Sequence, residues 1–126
     1  MNMYLWVALG GAIGASGRFF VTSTTGRLLG HGFPWGTILV NVVGSFIMGA
    51  LISFMAIKWS TSGEMRAFLT TGILGGFTTF SAFSLDFATL VERKEHMAAF
   101  AYAAGSVGLS IMAVFAGLVV MRTVLS

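Results

Sequence analysis

The chain is expected to be an all-α membrane protein with four transmembrane helices, the third of them broken, in one domain over residues 1–126. Three observations lead there. The composition is 56% hydrophobic and 9% charged, with a mean hydropathy of +0.91, whereas soluble chains carry about a quarter charged residues. Charged residues gather in short stretches and leave four apolar segments of about 20 residues or more, enough to cross a hydrocarbon core of roughly 30 Å. Cysteine is absent, which excludes a disulfide framework and thiolate metal sites. The net charge of +3 is spread over seven basic residues without a cluster, so no nucleic-acid partner is expected.

The elements follow in order. The first span, approximately residues 3–29, has no basic region ahead of its apolar stretch and no small-residue cleavage site, so it reads as a retained helix rather than a signal peptide. Arg18 interrupts it about 22 Å along the helix from Met3. His31-Gly32-Phe33-Pro34 forms the first loop, and Pro34 suits a helix start, where its missing N–H costs nothing. The second span, 35–57, carries no charge. Thr61 with Glu64 has capping-box spacing and is expected to start the third helix. That helix, approximately 65–92, is too long for a simple crossing, since residues 64–93 would measure about 45 Å. Gly72, Gly75 and Gly76 weaken it, and Thr78 and Thr79 are stiff β-branched residues, so a break is expected near 75–79. Glu92-Arg93-Lys94-Glu95 forms a charged turn before the fourth span, approximately 96–122. Trp6, Trp35 and Trp59 fall near span ends, as an interfacial aromatic belt requires.

Four spans put both termini on one side. The loops of that side hold Lys58, Arg66 and Arg122, and the opposite loops hold Arg27, Arg93 and Lys94. The positive-inside rule then gives no preferred direction. Balance of this kind points to a chain that inserts both ways and pairs as an antiparallel, dual-topology homodimer, although counts this low also balance by accident. Gly10 with Gly14, Gly72 with Gly76, and Ser45 with Gly49 are small-xxx-small pairs suited to close helix packing.

No catalytic constellation is present, and an enzyme is not expected. There is no Cys nucleophile and no HExxH motif, and the glycine-rich GILGGFTT lacks the lysine of a phosphate loop. Polar groups at membrane depth point to a transport path. Asn41 must face either another helix or a water-filled path, because an unpartnered amide in hydrocarbon costs several kcal/mol. Tyr102, Ser106 and Ser110 recur at every fourth residue and share one helix face, though each serine could also bond to its own helix. Arg18 either snorkels to the interface or draws anions into a vestibule. Asp86, the deepest carboxylate, is expected to be interfacial or ion-paired. Phe80 and Phe83 share a face. Their ring edges are electropositive and would favour a small anion if they border a path, with ordinary core packing as the alternative. Irregular backbone beside them is tolerated only against protein or a cavity, and freed carbonyls there can hold a cation.

GGAIGASGR (Gly10–Arg18), GTILVNVVGSFIMG (Gly36–Gly49) and GGFTTFSAFS (Gly75–Ser84) occur in the order and spacing of one known family. With them the whole chain resembles the Fluc (CrcB) family of bacterial fluoride channels. The resemblance implies a dual-topology homodimer in the bacterial inner membrane, with two antiparallel fluoride pores that relieve fluoride toxicity by passive export. It implies that Phe80 and Phe83 line the pore with Asn41 and Ser81 nearby, and that Tyr102, Ser106, Ser110 and Thr37 form a polar track. It also implies a structural, non-permeating Na⁺ at the dimer interface, held by the backbone carbonyls of Gly75 and Thr78 from both subunits. Arg18 matches the family's first-helix arginine as a vestibule or structural charge. One position departs: the family usually reads TTFSTFS, and Ala82 replaces the threonine. The rival architecture is a small dual-topology multidrug-type antiporter coupled to protons. That activity needs a carboxylate deep in the first helix, where this chain has only Arg18.

Overall fold

A computed structural model describes residues 2–126. Helix α1 spans Met3–Leu29, and the Asn2 side chain caps it by accepting the Leu5 amide at 3.0 Å. It ends at Gly30, whose φ of +83° lies in the region that only glycine enters freely. Helix α2 spans Trp35–Ile57 and begins directly after Pro34. Helix α3 covers residues 63–77, and helices α4 and α5 span Phe80–Glu92 and His96–Leu125. The stretches Met3–Leu29, Trp35–Ile57, Gly63–Glu92 and His96–Leu125 are each long and apolar enough to cross a membrane.

Two local expectations need correction. The cap of α3 is Ser62, whose hydroxyl accepts the Met65 amide at 3.1 Å. Thr61 stands one residue too early, and Glu64 sits in the first turn, where a negative charge complements the helix dipole. Within α3, the glycines expected to disrupt it are helical. Phe68–Leu74, which contains Gly72, winds in wider i→i+5 turns, and Gly75–Phe77 returns to α geometry. The extended residues are Thr78 (φ −86°, ψ 158°) and Thr79 (φ −154°, ψ 125°).

The glycines serve close packing instead. Helices α1 and α3 meet backbone to backbone. A methyl group on Gly10 would lie 2.5 Å from the Phe68 carbonyl oxygen and 2.9 Å from Gly72 Cα, and one on Gly14 would overlap the Ile73 carbonyl oxygen. Helices α2 and α5 meet in the same way. A methyl group on Gly49 would overlap the Val114 carbonyl oxygen, and one on Gly117 the Phe46 carbonyl oxygen. Near the end of this contact, buried Ser53 donates its hydroxyl to the Leu118 carbonyl at 3.0 Å.

The connectivity makes α2 and α5 parallel, both running away from the loop end that holds residues 30–34 and 93–95. Buried Leu90, Ala99 and Tyr102 form a core beneath that end, with Phe33, Ile38 and Phe83 against it. The outer faces present Tyr4, Phe19, Phe20, Phe100 and Val124, all largely exposed, as a multi-pass protein surrounded by hydrocarbon would.

Candidate functional site

The site is built around the two extended threonines. Continuing α3 would place the Thr79 amide on the Gly75 carbonyl, four residues back. Instead the Thr79 N–H donates to Asn41 Oδ1 at 2.7 Å, and Asn41 Nδ2 donates to the Thr79 carbonyl at 3.0 Å. One amide side chain thus satisfies both polar groups of one residue, and it releases the Gly75 carbonyl from helical bonding. Arg18 Nε donates to the next carbonyl, that of Gly76, at 3.0 Å. A cation at the end of a helix also complements its dipole. The restart is capped by Thr79 Oγ1, which accepts the Ala82 amide at 3.1 Å. Thr78 stays tied to α3 through its amide and its hydroxyl, both donating to the Leu74 carbonyl.

Beside this junction is a cavity of about 260 Å³. Asn41 and Ser45 of α2, Thr78 and Thr79, Phe80 and Phe83 of α4, and Ser106 and Ser110 of α5 line it. The two phenylalanine rings sit 5.5 Å apart, tilted by 44°. The hydroxyls of Ser106 and Ser110 are buried without a hydrogen-bond partner, an arrangement that costs about 1–3 kcal/mol each unless something in the cavity satisfies them. Asn41 combines both roles open to it in the sequence: it bonds to another helix and it faces a cavity. Its second amide hydrogen is left for whatever the cavity holds.

Five of the expected pathway residues therefore meet: Asn41, Phe80, Phe83, Ser106 and Ser110. Thr37 and Tyr102 lie elsewhere. Both donate to the same oxygen, Asp86 Oδ2, at 2.7 and 3.1 Å respectively. Of the two roles expected for Asp86, interfacial or ion-paired, the ion pair is replaced by two hydroxyl donors from two different helices; among the described residues the recorded ion pair is the exposed Arg93–Glu95, at 3.6 Å. Thr37 and Asp86 line a second cavity of about 280 Å³ with Thr22, Thr25 and His31. Tyr102 is fully buried and lines neither cavity; its ring lies 5.2 Å from that of Phe83, and its hydroxyl donates to Asp86. Ser81 is exposed, with its hydroxyl 3.3 Å from Thr79 Oγ1, and lies outside both linings.

The sequence reading missed the Asp86 junction and Ser45. For Ser45 a signal is present. Thr37, Asn41 and Ser45 recur at every fourth residue of α2, as Tyr102, Ser106 and Ser110 do in α5. Side chains at that spacing stand above one another on one helix face.

Among the described residues no group of three or more His, Cys, Asp or Glu side chains could hold a metal ion.

A family model described as CrcB-like protein, Camphor Resistance (CrcB), matches residues 5–118. The chain is 55% identical over 122 residues to a fluoride-specific ion channel FluC of Rhizobium etli, covering 97% of this chain and 98% of the relative. It is 56% identical over 125 residues to one of a Chelativorans species, covering 99% and 100%. Against one of Caulobacter vibrioides it is 50% identical over 125 residues, covering 98% of each.

Proposed function

The chain belongs to the CrcB family, and from that premise we propose that it is a fluoride-specific ion channel of the bacterial inner membrane, passing fluoride passively out of the cytoplasm and so relieving its toxicity. The observation that carries the reading is the cavity at the junction, where buried Ser106 and Ser110 hydroxyls without partners meet the Asn41 amide and the Phe80–Phe83 pair. Fluoride is small and strongly hydrated. A path for it must replace lost water with donors, yet a fixed full positive charge would bind it too tightly to release. Hydroxyls, an amide N–H and electropositive ring edges meet both conditions. The named activity of the relatives agrees with this chemistry. Expression in bacteria made fluoride-sensitive tests it: growth in fluoride should be restored, and sensitivity unchanged by the expressed protein would count against the reading.

The working unit on this reading is an antiparallel, dual-topology homodimer with two pores. The three-against-three basic residues of the two ends support it. A structural Na⁺ would be held at the interface by the Gly75 and Thr78 carbonyls of both copies. The donor set fits. The Thr79 amide that would occupy the Gly75 carbonyl is held by Asn41, and unwound carbonyls are suited to a hard cation. Bound there, the ion would add positive potential beside the anion path. The role of Arg18 is structural: it holds the Gly76 carbonyl and so fixes the end of α3. Exchange of Na⁺ for N-methylglucamine is expected to dissociate the dimer in detergent, read by light scattering; an unchanged dimer mass would contradict the interfacial ion.

Ala82 lies next to the Phe pair, half-buried, with its amide on Thr79 Oγ1. Ala82→Thr adds a hydroxyl donor there without removing that bond. Fluoride flux from liposomes is expected to rise severalfold, since one added hydrogen bond corresponds to about 1 kcal/mol; equal or lower flux would remove this role for position 82.

A further inference from the structure

We propose that Ser45 is a pathway residue, pairing with Ser110 to form a two-hydroxyl position for a small, strongly hydrated anion one helical turn beyond Asn41. The inference rests on the channel reading and extends its path. The register of α2 against α5 carries it. Ser53 bonds to the Leu118 carbonyl and Gly49 packs on the Val114 carbonyl, so the two parallel helices stay in step along their contact. At the other end Thr37 and Tyr102 share one Asp86 oxygen, in the same step. Between these fixed points the register sets Asn41 level with Ser106 and Ser45 level with Ser110, and all four line one cavity.

The result is a ladder of three polar rungs, spaced by one turn or about 6 Å. The first rung is Thr37 and Tyr102, both committed to Asp86. The second is Asn41, with one amide hydrogen on Thr79, and Ser106. The third is Ser45 and Ser110. A helical serine usually returns its hydroxyl to a carbonyl three or four residues back, and Ser23 and Ser84 of this chain do so. Among the described residues, the hydroxyl of Ser45 has no recorded bond of that kind, and the buried hydroxyl of Ser110 has no partner at all. The first rung is also two hydroxyls, but both are committed to a carboxylate, whereas those of the third are not. The donors of the third rung can turn toward an anion without breaking a bond to the protein, and no carboxylate repels the ion there. Tight contacts on either side keep the rung in place, because Gly44 packs on the Thr78 methyl group and Gly49 on the α5 backbone.

The test compares Ser45→Ala and Ser45→Thr with the unaltered protein in liposomes, reading fluoride efflux with an electrode over a range of fluoride concentrations and melting temperature alongside. Ser45→Ala is expected to slow efflux about three- to tenfold at subsaturating fluoride, the factor corresponding to one lost hydrogen bond, with an unchanged melting temperature. Ser45→Thr, which keeps the hydroxyl, should stay within about twofold of the unaltered protein, given the same donor count. Ser45→Ala equal to the unaltered protein, or both variants equally slow, would overturn the inference while leaving the channel reading intact. An unaltered protein without fluoride efflux would overturn the channel reading, and this inference with it.

Discussion

Phe80→Ile is expected to cut fluoride efflux about a hundredfold or more while leaving the protein folded. Isoleucine is of similar apolar character but has no electropositive ring edge. If two such edges stabilise the passing anion by about 3 kcal/mol together, losing the arrangement costs about two factors of ten in rate. The stability side of the prediction rests on exposure. The Phe80 ring is 75% exposed in the chain and contributes little to its core. Phe83 is the less clean probe, because its ring also packs on Tyr102 and on the buried Leu90–Ala99–Tyr102 cluster, so Phe83→Ile would mix a flux effect with a core defect. Electrode-recorded efflux and a melting curve on the same preparation separate the two. Phe80→Ile with efflux unchanged would remove the rings from the mechanism.

Gly14→Val should prevent formation of the folded protein. Its first added carbon would overlap the Ile73 carbonyl oxygen and lie 2.8 Å from the Phe77 amide nitrogen. Both obstacles are backbone, so neither can rotate away, and the α1–α3 contact would have to separate. Overpacking in a close-packed interior costs about 1–3 kcal/mol where side chains can adjust, and backbone collisions belong to the rarer class above about 4 kcal/mol. Gly11→Ala is the control, since nothing lies within 4 Å of a methyl group there. The expected readout is loss of a monodisperse peak on gel filtration for Gly14→Val and a normal peak for Gly11→Ala. Two normal peaks with equal melting temperatures would refute the packing role given to Gly14.

What could be read in advance divides along a physical line. Helix spans depend on local hydropathy and on punctuation, and α1 and α2 run over Met3–Leu29 and Trp35–Ile57 on either side of the His31–Pro34 loop. The cap of α3 lies one residue after the expected Thr61 because Thr61 and Ser62 are both competent caps, and only the fold decides which hydroxyl reaches an amide. The glycines of α3 are ambiguous for a deeper reason. Weak helix propensity and close packing call for the same residue, and the contact that distinguishes them lies with Gly10 and Gly14, some sixty positions away. Within the stretch 75–79 the extended residues are Thr78 and Thr79.

The same distinction governs the site. Asn41, Phe80, Phe83, Ser106 and Ser110 could be proposed because each is unusual within its own helix. Asp86 could not be placed by local reasoning, since its environment is two hydroxyls contributed by residues 37 and 102. The bond of Arg18 to Gly76 spans 58 positions and is equally invisible to spacing rules. Ser45 was hidden differently: its spacing to Gly49 suggested packing, whereas its spacing to Asn41 and Thr37 marks a polar row.

Passive, selective fluoride movement is tested most directly by efflux from liposomes. Purified protein is placed in liposomes loaded with potassium fluoride, and efflux is started with the potassium carrier valinomycin at equal pH on both sides. Rapid fluoride release that needs valinomycin, needs no proton gradient, and is not matched by chloride in parallel liposomes is the predicted result. Absence of fluoride release, or transport that proceeds only with a proton gradient and carries an organic cation, would contradict it.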